Sequence, residues 1–523
     1  MPGFPPFFPV AGDRYRGNLP QNWFFATDQE KGPILLGVPG NAKWINVGAS
    51  IMQIRGMAVM GNYLYVVGQN TVTTCNVYQV DMHGNAILIG SLATGTGPLY
   101  MVPMANQMQL FISDGVNGYY YDTYPKFWTQ STTYLPGVVV QPNPPTLLYY
   151  QVTGNGGMSS TSPPAWPTTV GDTVTDGGVT WACIPGIPYF TQITDPNFLG
   201  GGPAVLQDNY LVYAQPNGNQ WGVSNLGDCT TYDSMAQALK GDGIILAILS
   251  SHLNIWLMGD KTDEVWYDAG GTPFPFTKLV GTLIEKGLGA PMSATLGDNT
   301  LMWLDNYRQV QMAVGFQPKR ISTDKVDREL EGYANVFDAI GFYQVQRGHN
   351  FYWLILPSAN RTLVCDISMH PPLWHVRTSW PDDGRHRANC YCYFNNMHLV
   401  GADASGDILK LDPDNYTDNG QPLKAIIQSR EFRASGKYIQ FPDLQFLFNS
   451  GTAEIGLNPQ ALISLSRDGG RNFGTQRAES MGKVGENAKR TIFRQNGSDF
   501  QRIFELSVSD PVNRDLLECS WLE

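Results

Sequence analysis

The 523-residue sequence predicts an all-β protein: a β-propeller of six to seven blades, a small β module inserted into it, and a C-terminal β domain. Three observations lead there. Charged residues make up only 15% of the chain, and with 56 Gly and 35 Pro this composition suits many short strands joined by tight turns rather than long helices. An apolar run, a polar turn and a second run rich in aromatic and β-branched residues recur along most of the chain. The recurrence has a period of roughly 40–50 residues where no insertion intervenes, which is the range of propeller blades. The physical reason is burial: one small sheet cannot cover both of its faces, whereas several arranged radially cover one another. A pair of β-sandwiches is the alternative for the same pattern.

Residues 1–50 are expected to form an extended arm rich in Pro, Gly and aromatics, lying over a neighbour or packed on its own domain. The first ten residues have neither a basic region nor an unbroken apolar core, so no secretory signal is expected. The propeller is expected in two stretches, 51–126 and 187–432. In the first blade, residues 56–68 make two strands around Gly61 and Asn62, a hairpin signal. The equivalent turns fall at Ala105 and Asn106, at Gln207 to Asn209, at Ser251 to Leu253, at Gly297 to Asn299, at Gly348 to Asn350, and at Asn395 and Asn396. The fourth blade is the most aromatic. Its strands cover 255–258, 264–268 and 276–280. Gly270 and Gly271 let the chain turn, and Pro273 and Pro275 keep the next stretch out of a strand interior. Residues 127–186 break the period and are expected to form the inserted module. After residue 433 the blade pattern stops; 438–448, 461–466, 489–493 and 501–509 alternate as strands of a C-terminal domain, 433–523.

Charge and cysteine content narrow the function. A net charge of −11 argues against a large sequence-independent phosphate-binding surface, which needs clustered Lys and Arg. An acidic wall can nevertheless form a passage for DNA, because repulsion prevents sticking. The longest strongly apolar run, 244–249, is too short to span a bilayer. Seven scattered cysteines speak against a disulfide framework and for assembly in a reducing cytoplasm.

Candidate chemistry is sparse. Ser466, Asp468, Gly470 and Phe473 match the Asp-box pattern of sialidases and other propellers, a hairpin brace in which the Asp caps the turn. Cys390 and Cys392 share a strand face near His386 and His398, but the second ligand pair of a zinc site is missing, so core cysteines are expected. Asp412, Asp414 and Asp418 are spaced like a calcium loop without its terminal Glu, which favours a solvated turn. No phosphate-cradling loop, nucleophile elbow or metalloprotease motif occurs. No enzymatic activity, cofactor or metal is expected. Trp128, Tyr134, Tyr149, Trp166 and Trp181 of the insert are candidates for stacking on a sugar, although so small a module needs at least two of them for its own core. Phe274 and Phe276, in a loop at a propeller face, are candidates for contact with a neighbouring subunit or domain.

Several stretches, taken in order, point to a family. They are Arg55 and Gly56; the run from Asp263 to Phe276, followed by Gly287; Ser466 with Asp468, Gly469 and Gly470; Gly482, Gly485 and Glu486; and residues 504–512. Together they resemble the packaged-DNA-stabilisation proteins of short-tailed bacteriophages, also called tail hub or nozzle proteins. The insert, marked by residues 163–167, the turn at 171–177, and Thr180 with Trp181, is similar to a module of many phage structural proteins and loosely to chitin-binding modules. The resemblance implies a propeller-based subunit of a homo-hexameric ring in the virion tail, assembled in the host cytoplasm. Such a ring sits below the portal and its adaptor protein, extends the DNA channel, passes double-stranded DNA without reading its sequence, helps retain the genome, and docks fibre, spike or needle proteins. The alternative is a carbohydrate-binding or glycan-degrading propeller acting on host surface polysaccharide. A third reading is a scaffold for protein partners outside a virus.

Overall fold

The computed structural model describes residues 7, 19–28, 32–123, 127–136, 138–142, 146, 148–185, 189–433 and 436–522. Seven four-stranded antiparallel blades stand among them. Blades 1 to 6 span residues 53–92, 100–192, 204–239, 245–278, 295–320 and 340–376. Blade 7 takes three strands from 388–412 and its fourth strand, Gly40–Asn46, from the other end of the sequence, and the short strands Thr417–Asp418 and Gln421–Pro422 extend its sheet to six. The first strand of each blade lies against the first strand of the next, and that of blade 7 lies against that of blade 1, so the ring is closed.

Local turn chemistry explains why these segments form hairpins. Both central residues have positive φ at Asp208 and Asn209 (48° and 64°), at Asp298 and Asn299 (48° and 61°), and at Asn395 and Asn396 (47° and 62°). That is the type I′ geometry whose twist matches paired strands, and Asn and Asp tolerate it. The sixth turn sits at Arg347 and Gly348, because His349 and Asn350 already belong to the strand His349–Leu356. Seven apolar clusters fill the seven gaps between adjacent blades. Tyr65 and Val67 pack with Leu110 and Ile112 between blades 1 and 2, and Ile54 and Leu64 pack with Leu399 and Ile408 where blade 7 meets blade 1. Each sheet therefore buries both faces.

The N-terminal segment corrects the expectation of an arm. Trp23–Asp28 and Gly32–Gly37 are strands of the C-terminal domain, and Gly40–Asn46 closes the propeller. Their side chains fit both places: Trp23 and Leu35 lie in the core of the C-terminal domain, whereas Phe24 and Val38 lie between blades 6 and 7. Arg14 and Arg16 of the leader lie outside the described residues. The C-terminal domain is a two-sheet sandwich. One sheet runs Trp23–Asp28, Gly32–Gly37, Leu516–Leu522, Asp443–Phe448, Arg490–Phe493; the other runs Ala425–Gln428, Gln501–Val508, Gln460–Ser466, Arg477–Ser480. Its first strand thus precedes the expected boundary at 433.

Propeller and sandwich are joined by buried polar bonds. Asn22 donates to Thr378 Oγ1 (2.8 Å) and to Lys424 O (2.7 Å), and accepts from Thr378 N (3.0 Å). Arg347 on blade 6 pairs with Asp515 at 3.0 Å, and Asp515 also accepts from Gly37 N (2.8 Å). The buried Arg514 donates to Tyr416 O (2.7 Å) and to Leu423 O. One α-helix, Asp324–Glu331, stands between blades 5 and 6 among the described residues. Thr323 caps it, and Val326 and Leu330 are buried in the core between those blades.

Candidate assembly surfaces

The insert, with strands from Thr133–Tyr134 to Val179–Pro185, leaves blade 2 between its third and fourth strands. Its aromatic residues have divided roles. Trp181 is fully buried and Tyr134 nearly so, their rings edge-on at 4.9 Å. These two build the core, which removes them from any sugar platform. Asp176 organises the rest: its Oδ2 accepts from Trp128 Nε1 (2.7 Å) and Trp181 Nε1 (3.0 Å), and its Oδ1 from Ser160 N (2.9 Å). Burial alone would raise this carboxyl, but the bonds from Ser160, Trp181 and Trp128 outweigh it and hold its pKa below the ordinary value. Trp128, Tyr149 and Trp166 are half-buried.

The aromatic loop of blade 4 folds inward. Phe276 is 3% exposed, and Phe274 stands 5.1 Å from the buried Trp221 of blade 3, which also meets Trp266 at 5.1 Å. Phe276 is therefore a core residue between blades 3 and 4 and not a subunit contact; Phe274 is half-buried against the same cluster. The loop has too many large apolar groups to stand in water, and the neighbouring blade is the nearest cover.

The polar motifs resolve into braces. Asp468 Oδ1 accepts from Arg471 N (3.0 Å), Asn472 N (2.9 Å) and Ser466 Oγ (2.7 Å), and these bonds, that from Asn472 first, lower its pKa. Gly469 and Gly470 supply the two positive φ angles this turn needs. Asp418 is not in a solvated turn. It is fully buried and accepts from Asn41 Nδ2 (2.8 Å), Trp380 N (2.9 Å) and Arg387 Nε (3.0 Å). It thereby ties the closing strand to blade 7. Cys390 and Cys392 pack at the junction of blades 7 and 1, where burial pushes the Cys390 thiol up to about 12. His386 and His398 bond elsewhere, to Asn41 and Tyr391.

One surface is touched by the sequence motifs only at Arg55, Gly56 and Cys390. At the face where the first strands begin, a cavity of about 530 Å³ opens at the centre of the ring. Met57, Met101 and Met292 line it with Leu99, Phe342 and Tyr391, and Arg55 stands in its wall. These residues come from blades 1, 2, 6 and 7 and from the segment leading into blade 5, so no sequence window could assemble them.

Comparison with known families gives two matches. A family model described as "Bacteriophage P22 Gp10, beta-propeller" matches residues 171–416, and one described as "Bacteriophage P22 Gp10, beta-sandwich" matches residues 425–521. A comparison with curated proteins gave no match. Among solved structures, the computationally designed Ika8 protein is similar at 12% identity over 71% of this chain and 99% of that one, with a TM-score of 0.34. The WD40 β-propeller domain of Doa1 (9% identity, 71% and 96% covered, TM-score 0.37) and a streptogramin B lyase (8%, 71% and 96%, 0.39) are similar at the same level. At such TM-scores these three likenesses carry no argument.

Proposed function

Because the chain belongs to the Bacteriophage P22 Gp10 family, and so is a structural protein of a short-tailed phage tail, we propose that it is a nozzle subunit. Copies form a hexameric ring that extends the DNA channel, helps retain the packaged genome, and docks fibre, spike or needle proteins beneath the portal-bound adaptor. The family implies a non-enzymatic role in the virion tail. The observation that carries the reading is the pair of family matches, in sequence order, on the two bodies that the N-terminal segment binds together. A subunit under the pressure of packaged DNA needs such a tie, since two domains joined by one linker would separate under load. The net charge of −11 suits a wall along which DNA slides.

The test uses particles assembled without this protein. The expected result is loss of nuclease-protected DNA or of adsorption. Intact, infectious particles would overturn the reading. A glycan contact, if made, rests on Trp128, Tyr149 and Trp166. Binding of the purified protein to host surface polysaccharide would favour it, and no binding would remove it.

A further inference from the structure

The cavity at the centre of the propeller has a largely apolar wall that also carries Asp338, Arg385 and Arg55, and Arg55 is, among the described residues, a cation without a carboxylate partner. Arg55 donates to Thr94 O and Gly97 O, each at 2.9 Å, and to Cys75 Sγ at 3.2 Å. Among the described residues no carboxylate lies within ion-pair distance of it. Three methionines in the wall can adjust to an incoming side chain. The other half of a contact stands on the sandwich. Leu457 N donates to Glu454 O at 3.1 Å, and Gly456 has φ of 92°, so residues 454–457 form a tight turn with Ile455 at its apex. Ile455 is 93% exposed, while Ala453 is buried on one side and Leu457 packs on the sandwich core on the other. The turn is thus a preformed apolar knob that loses little conformational entropy on docking. Glu454 beside it is exposed and makes no ion pair among the described residues.

We propose that Ile455 of one copy seats in the central propeller cavity of a second copy, with Glu454 meeting Arg55. Arg55 and Glu454 are opposite in charge, and a cavity of about 530 Å³, whose wall also carries Asp338 and Arg385, has room for an isoleucine side chain. The two surfaces are different parts of the chain, so the contact is heterologous, the kind that generates rings. The inference rests on the ring reading above. One turn buries too little surface to drive assembly alone, so it acts as a register lock within a larger interface.

The test supplies variants to particles that lack the protein and measures its copies per purified particle. Ile455→Asp changes an exposed turn, so its melting temperature in solution should match the wild type, while its incorporation should fall about tenfold or more. Arg55→Glu and Glu454→Arg should each weaken incorporation, and the two together should restore it. Normal incorporation of Ile455→Asp overturns the inference. So does a pattern in which Arg55→Glu fails, Ile455→Asp succeeds and the charge exchange rescues nothing, since the cavity would then serve another partner. Wild type that never joins particles contradicts the ring reading instead.

Discussion

At the residue scale, five of the blade turns place both central residues at positive φ but do so with different chemistry. Asn209, Asn299 and Asn396 occupy the second central position of their hairpins, whereas blade 4 places Leu253 there with φ of 62° and 72% of its surface exposed. A γ-branched apolar residue in this region is strained by about 1 kcal/mol relative to Asn. Leu253→Asn is therefore expected to stabilise the protein by about 0.5–1 kcal/mol, read as a higher melting temperature. Asp176 gives a pH-dependent prediction. Its folded pKa is depressed, so its contribution is complete above the unfolded carboxylate value of about 3.9 and is lost as pH falls through the lower folded value. Tryptophan fluorescence should report loosening of the insert in that acid range, and Asp176→Asn should flatten the profile. An unchanged acid transition would reject the role given to Asp176.

At the scale of the element, what holds blade 7 is a strand from far away in sequence. Asp418→Ala would strand Arg387 and Asn41 and is expected to cost about 3–5 kcal/mol. Calorimetry checks this; a loss below about 1 kcal/mol would show that the network does not hold the closure. Phe276→Ser should destabilise the monomer by about 3–5 kcal/mol, the usual range for emptying a buried Phe site, and a reduced melting temperature would confirm a core role over a subunit contact. These elements also show what a sequence can convey. Asp298 with Asn299 and Asn395 with Asn396 announce hairpins locally, so the blades are legible. The closing strand Gly40–Asn46 is not, because nothing in its residues names a partner at Asp407–Asp412. Asp418 reads as a solvated turn for the same reason: its partners Asn41 and Arg387 are local to the fold and not to the chain. The helix Asp324–Glu331 escapes a reading of periodicity because eight residues give too few turns for it to register.

At the scale of the whole molecule, the N-terminal segment makes propeller and sandwich one body. Trp23 and Leu35 sit in one core, Phe24 and Val38 in the other, and Asn22 and Asp515 bridge the seam. Differential scanning calorimetry should accordingly give one main transition for the two bodies, and deletion of residues 1–46 should split or abolish it; two separate transitions in the intact chain would contradict the coupling. The candidate surfaces are only partly readable from sequence. The aromatic residues of the insert and of blade 4 stand out by type, but their burial depends on neighbours far away along the chain, as Phe274 depends on Trp221. The central cavity, drawn from segments far apart in the chain, is marked in the sequence only by Arg55, Gly56 and Cys390. The central claim is that copies of this chain ring the DNA channel of the tail, and a cryo-electron microscopy reconstruction of the intact particle tests it most directly. The account predicts a ring of propeller–sandwich subunits coaxial with the portal and enclosing the channel. A tail in which this protein lies off the axis, or is absent, would contradict it.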